Sequence, residues 1–406
     1  MNNRFLRVAD VRDNKLSVRD KVVVFTIFFA LLCSFPYTFP RFFPIPELTI
    51  IMAVELVLLA FVSLTFKNKK PMPRPFIIMC LSQFVIFFFL FILHGDTFYL
   101  MRFALFVIIA FFSLFVVHNS LGIVRFVHIN NIWLVVQAVL GFIAFFLIFA
   151  NVLSPLLVST VGDYGTDYFY GITTTNAIIG NIPRIAGYFD EPGAFAQWGV
   201  YALVLNKISP KYNRKIEVLL IIGLIVTFSM AYFIQLVVYL LLFSFSRIKK
   251  FIPIFIILIV GVFAAYKYIP EDTDLYLLTF KRLEMSGGQL ETNRDDAADV
   301  AKAYFKESPV FGKGYSSLVE KGTYFYDNPY ETLASSGIVG TFALYLPLII
   351  ILLRYRKNGA WQAVAILAIG YLQRPFHIQY IHYLMMYLLF LLCYYINKPN
   401  LLVEKG

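Results

Sequence analysis

Charge is what this sequence has least of. Only 15% of its 406 residues are Asp, Glu, Lys or Arg, too few for a chain of this length to fold in water as two or three globular domains. Cysteine is scarce as well. Cys33, Cys80 and Cys393 each lie inside an apolar block without paired spacing, which excludes a disulfide framework and a cysteine-based metal site. No small-residue cleavage pattern follows the charged first twenty residues, so the first apolar span is expected to serve as its own insertion signal. No repeat and no low-complexity segment stands out.

What is present is apolar and runs in blocks. The chain is 60% hydrophobic and 18% aromatic, with a mean hydropathy of +0.74. The blocks are continuous, not amphipathic stripes, and most are long enough to cross a hydrocarbon core at 1.5 Å per residue. Spans are expected over 22–39, 47–66, 75–94, 98–117, 130–157, 191–207, 216–228, 231–245, 251–268, 331–353, 359–371 and 379–396. The seventh and eighth are short and almost directly joined, which reads as a tight helical hairpin. The sequence thus predicts an all-α polytopic integral membrane protein, residues 1–406 forming one membrane domain with about twelve transmembrane helices.

Two larger loops interrupt the spans, at 159–190 and 269–330, and a basic arm occupies 1–21. In the second loop Thr292 to Asp295 form a capping box, and Ala297, Val300, Ala301, Tyr304 and Phe305 recur at helical spacing until Pro309 ends the run. A short amphipathic helix is expected there, at or near the interface.

Net charge is +11, but its distribution argues against nucleic acid. Alternating the spans puts most of the Lys and Arg on the side of both termini and leaves the acids mainly in the two large loops. The positive-inside rule makes the basic side cytoplasmic, where it suits anionic membrane lipids, and turns both large loops outward. The expected location is a bacterial inner membrane, with both termini cytoplasmic and the site facing the periplasm.

The stretch with most chemistry is RIAGYFDEPGAFAQW, Arg184 to Trp198. It holds a cation and two adjacent carboxylates, Asp190 and Glu191, at the head of an apolar span. Asp-Glu-Pro is also an ordinary helix start, with acids in the first turn and proline at the first helical position. Other outward ionisable groups near span ends are Arg41, His94, Asp96, Arg102, Arg282, Arg294, Asp327, Glu331, Arg374, His377 and His382. Arginines this close to hydrocarbon either snorkel or bind an anion, and the guanidinium fork suits a lipid-linked phosphate. Arg184, Arg102, Arg294, Arg374 and Arg282, with His377 and Tyr188, are the candidate phosphate and substrate contacts. Glu191, Asp190 and Asp327 are the candidate catalytic carboxylates. Asp190 and Glu191 leave a helix start in different directions, so at most one is the base and the other caps the helix. Glu55, mid-way along the second span, is either a proton or ion site or a carboxylate bonded to a neighbouring hydroxyl.

Two regions carry a family resemblance. From Arg294 the second loop reads RDDAADVAKAYFKESPVFGKGY, and from Asp327 the next span opens with DNPYETLASSGIVG. A P-x-F/L-G-x-G turn followed by L-x-x-x-G-I-x-G resembles the O-antigen polymerase (Wzy-type) and O-antigen ligase superfamily. So does the earlier R-x-x-G-x-x-x-E-P at Arg184, Gly187, Glu191 and Pro192. The resemblance implies a GT-C-like membrane glycosyltransferase, working without metal or cofactor, on oligosaccharide repeat units carried by undecaprenyl pyrophosphate. It also implies a chain-length regulator protein as partner. Asp327 stands where ligases of the family present a histidine, which favours an O-antigen or capsular polysaccharide polymerase over a ligase. The alternative of another class is a lipid-linked oligosaccharide flippase. That needs charge along a central path, whereas these spans are nearly charge-free apart from Glu55.

Overall fold

The computed structural model describes residues 16–34, 36–43, 48–67, 69–160, 166–244, 267–274, 276, 285–286, 289–290, 295–320, 328–373, 375 and 378–398. The helices among them are α1 (Val18–Leu32), α2 (Leu48–Leu64), α3 (Arg74–His94), α4 (Tyr99–Asn119), α5 (Ile123–Phe149), α6 (Pro192–Ile208) and α7 (Arg214–Gly223). They continue with α8 (Met230–Ser244), α9 (Asp295–Glu307), α10 (Tyr315–Glu320), α11 (Glu331–Arg354), α12 (Ala360–Gln373) and α13 (Tyr380–Asn397). Among the described residues α3, α4, α5, α11 and α13 are long and apolar enough to cross a membrane, and α2, α8 and α12 hold shorter apolar stretches. The protein is membrane-embedded and mostly helical. The expected span at 251–268 lies almost wholly outside the described residues.

The bundle is organised around α6. Nearly every residue from Pro192 to Ile208 is buried, and the helix packs against α5, α7, α8, α12 and α13. A helix buried all round belongs to the interior of a bundle. α13 is buried in the same way, between α4 and α11 on one side and α5 and α6 on the other. α7 and α8 follow one another through a short turn but pack mainly on other helices, α7 on α5 and α8 on α12, and touch each other through two tyrosines. The Tyr232 hydroxyl donates to the Ile221 carbonyl (2.6 Å), and the Tyr239 hydroxyl meets Glu217.

Two expectations are corrected. The fifth span starts at Ile123, not Asn130, because Gly122 takes a φ of +82° that closes a tight turn directly after α4. Its polar residues Asn130 and Asn131 are consequently buried on the helix. The all-α expectation is the second, because the first large loop contributes strands. Its Thr-, Val-, Ile- and Tyr-rich segments pair as an antiparallel sheet of β1 (Leu157–Thr160), β2 (Thr166–Phe169) and β3 (Thr174–Thr175). A hairpin of β4 (Ala177–Ile179) and β5 (Ile182–Arg184) follows, turned at Gly180 with φ +58°.

Glu55 is buried in α2, accepting from the Tyr380 hydroxyl (2.9 Å) and from Ser113 Oγ (3.2 Å). Of the two readings open at that position, hydroxyl bonding is the one these contacts describe.

Candidate functional site

The loops at one end of the bundle gather polar groups where α3 and α5 end and α4, α6, α11 and α13 begin. One cluster forms at the entry to α6. After α1 the backbone at 36–38 pairs with 188–190: the Thr38 N–H donates to the Tyr188 carbonyl (3.0 Å), and the Asp190 N–H donates to the Pro36 carbonyl (2.7 Å). Tyr37 stacks on Phe189, ring centres 4.3 Å apart. The helical turn that follows, Phe39–Phe42, presents Arg41. Its guanidinium pairs with Asp167 of β2 and lies 3.8 Å from Asp190 Oδ2. Both carboxylates are buried, so one arginine holds two of them together.

The Thr-rich strand fixes the other wall. Thr174 Oγ1 donates to the Phe189 carbonyl (2.8 Å), Thr173 Oγ1 to the Gly187 carbonyl (3.2 Å) and Thr175 Oγ1 to the Arg184 carbonyl (2.6 Å). Gly187, with φ +61°, is the residue the turn requires. A Cβ there would come within 3.1 Å of both Gln137 Oε1 and the Phe195 ring. The Tyr188 N–H donates to that same Gln137 oxygen (3.2 Å), and the Tyr188 hydroxyl donates to the Gly171 carbonyl (3.3 Å).

Glu191 is the N-cap residue of α6, half-buried, yet its side chain makes no capping hydrogen bond. Asp190 is engaged by Arg41. The expectation that one of the pair caps the helix through its carboxylate is therefore corrected for Glu191. Proline at the first helical position has no N–H to satisfy, which lightens the need for a cap.

Arg184 is placed differently from a residue kept for a ligand. Its Nε donates to the Thr227 carbonyl (3.2 Å) and its Nη2 to the Phe228 carbonyl (3.3 Å), at the bend between α7 and α8 where Phe228 adopts φ +46°. Arg184→Gln is expected to remove about 1.5–3 kcal/mol of stability, the range for hydrogen bonds from a charged donor. The check is the thermal midpoint of the detergent-solubilised protein, with Arg184→Lys recovering only part of the loss. An unchanged midpoint would deny this structural role.

A second cluster joins the two motif regions on which the family resemblance rests. α11 breaks at Gly337 (φ +63°, ψ −167°), and the turn at 309–314 fills the gap with its own backbone. The N–H groups of Lys313 and Gly314 donate to the Ala334 (2.9 Å) and Ser335 (3.0 Å) carbonyls. Those of Ile338 and Val339 donate to the Pro309 (2.9 Å) and Val310 (3.1 Å) carbonyls. His94 Nε2 bonds the Phe311 carbonyl (3.1 Å), and the Tyr99 hydroxyl donates to the Ser335 carbonyl (2.7 Å). Asp96 accepts from the Ser316 N–H (2.7 Å) and hydroxyl (2.6 Å), while Tyr315 stacks on Phe98 with ring centres 3.9 Å apart. Arg102, in the π-helical first turn of α4, is half-buried. The expected helix over 295–307 forms, with Ala297 and Ala301 buried; Ala301 packs with Leu318 and Ala334 at the head of α11.

The chain matches no protein-family model, no characterised protein and no solved structure.

Asp190, Glu191 and Tyr188 thus share the junction at the entry to α6, the Arg184 side chain reaches instead to the bend between α7 and α8, and Arg102 lies on the first turn of α4 beside the second cluster. Asp327, Arg282, Arg294, Arg374 and His377 lie outside the described residues. Two groups carry more than the sequence assigns them. Arg41 is the cation beside the carboxylates, and its only sequence signal is its place at a span end. Within the bundle the Tyr201 and Tyr371 hydroxyls meet, and His382 sits edge-on to Tyr371 and Tyr383 (both 5.3 Å between ring centres). Their polarity is hidden in segments that read as plain span.

Proposed function

We propose that this protein is a membrane glycan polymerase resembling the Wzy type, with about twelve spans in a GT-C-like arrangement. It acts at the outer face of a bacterial inner membrane on repeat units linked to undecaprenyl pyrophosphate. The observation that carries the reading is Glu191 at the head of the central helix. It stands beside an Arg41–Asp167–Asp190 network in which one guanidinium holds the adjacent acid, while the Glu191 carboxylate is not spent on capping the helix. In the reaction an acceptor sugar hydroxyl attacks the anomeric carbon of the donor glycan. A new C–O bond forms, the bond to pyrophosphate breaks, and undecaprenyl pyrophosphate leaves with the bonding electrons. The hydroxyl proton passes to the carboxylate. Arginines stabilise the departing charge, worth several kcal/mol in a preorganised site. Arg102 is the described candidate, since Arg184 already donates to backbone; Arg282, Arg294 and Arg374 complete the set. The enzyme uses no cofactor, and a chain-length regulator is its expected protein partner.

The test is the surface-polysaccharide banding pattern of a strain lacking the gene and of the same strain complemented. A single-repeat band that returns to a ladder on complementation supports the polymerase. Long polymer retained on the lipid carrier and absent from the surface core would mean a ligase. Lipid-linked units trapped at the cytoplasmic face would mean a flippase.

A further inference from the structure

A groove between α3 and α11 lies at the opposite end of the bundle from the candidate site. It encloses about 500 Å³ and is lined by Arg74, Pro75, Ile78, Met79 and Ser82 of α3, facing Leu346, Ile350 and Arg354 of α11. The spacing is that of one helical face on each side; the walls are mostly apolar, and each helix contributes one arginine, Arg74 from the start of α3 and Arg354 from the end of α11. No acid lines the groove, and among the described residues neither arginine is in an ion pair.

Just beyond the residues that line the groove, α3 and α11 are joined by a polar contact with a clear cause. Pro347 sits inside α11 and has no N–H, which frees the Ala343 carbonyl one turn earlier. Gln83 Nε2, one residue beyond Ser82, donates to that carbonyl (2.7 Å), and the Tyr387 hydroxyl donates to Gln83 Oε1 (2.6 Å). The groove runs along mostly apolar walls about 12 Å long, eight residues of helix at 1.5 Å each, with this contact following Ser82 on α3. Ile78 is 63% exposed on its rim, a position that in a membrane is covered by lipid.

We propose that this groove is a binding site for one phospholipid with a net-negative headgroup. Its phosphate sits between Arg74 and Arg354, and an acyl chain lies along Ile78, Met79, Leu346 and Ile350. Two guanidinium forks with no facing acid suit a phosphodiester of net negative charge, and apolar walls of this length suit a hydrocarbon chain, not a free anion. The positive-inside reading puts the site in the cytoplasmic leaflet; the proposal stands apart from the catalytic reading.

The experiment is native mass spectrometry of the purified full chain in detergent, titrated with phosphatidylglycerol or phosphatidylcholine. Wild type is expected to bind its first phosphatidylglycerol at least about fivefold more tightly, on the order of 1 kcal/mol. The double variant Arg74→Gln/Arg354→Gln should lose that preference, and Ile78→Trp, which fills the groove from an exposed position, should lose the first bound lipid of either kind. Lys67→Gln/Lys69→Gln, on the neighbouring exposed segment, should keep it, and ~10 mM inorganic phosphate should not displace it, given the apolar share of the binding energy. Equal preference in wild type and the arginine variant would overturn the site. So would an equal loss in the lysine variant, which would mean a diffuse basic surface, or displacement by phosphate, which would mean a simple anion site. Matching gel-filtration profiles establish that each variant is folded.

Discussion

Gly337→Ala and Gly312→Ala are each expected to destabilise the protein by about 2–5 kcal/mol, the sum of a strained backbone and an overpacked contact. A Cβ at Gly337 would lie 2.3 Å from the Val310 carbonyl oxygen, and one at Gly312 would lie 2.2 Å from that of Ser335. The obstacle in both cases is backbone, which cannot rotate aside as a side chain can. Gly337 also has a φ/ψ pair that only glycine adopts readily. Gly122→Ala is the matched comparison, since its φ is +82° but nothing lies within 4 Å of the added methyl. With ψ +151° it shares that glycine-only region, so the substitution should cost about 1–3 kcal/mol for conformation alone. Thermal midpoints in detergent rank the three. If Gly337→Ala were no worse than Gly122→Ala, the backbone interlock between the 309–314 turn and α11 would be wrong.

Glu191→Gln is expected to reduce chain extension about 10²- to 10⁴-fold, the range for loss of a general base, with a thermal midpoint close to wild type. Asp190→Asn should show the reverse balance. It removes a buried charge from beside Arg41, which makes the fold less stable, and it leaves the base in place. Extension of a lipid-linked repeat unit by the purified enzyme separates the two effects from expression level. Full activity in Glu191→Gln would end its assignment as base and pass the role to Asp190 or Asp327.

The amount of this that the sequence makes legible follows from what hydropathy measures. Of the five membrane-length helices, α3 is the most apolar and the least buried, while α13 is the least apolar and the most buried. Apolar runs therefore report contact with lipid, which is why the outer helices of the bundle are easily read. Boundaries set by one glycine, such as Gly122, escape a hydropathy reading because a turn of three residues hardly changes the average. The helix over 295–307 is legible because its apolar positions repeat with the helical period and Pro309 stops it. The glycines at 312 and 337 stand out in the sequence as motif, yet their reason, two backbones in contact, exists only once the chain is folded. The same holds for Arg184. Its charge beside two acids draws attention to chemistry, while the carbonyls it serves lie more than forty residues away.

The burial of α13 has a consequence for how the protein is made. A segment of modest hydropathy partitions weakly from the translocation channel into lipid on its own, and this one carries Tyr380, His382, Tyr383 and Tyr387 facing other helices. Its partners α4, α5, α6 and α11 all precede it in the chain. They are in the bilayer first, with a slot open between them. Membrane entry of α13 is then better described as docking into a preformed receptor than as insertion, with the bundle closing around the least apolar of its membrane-length helices.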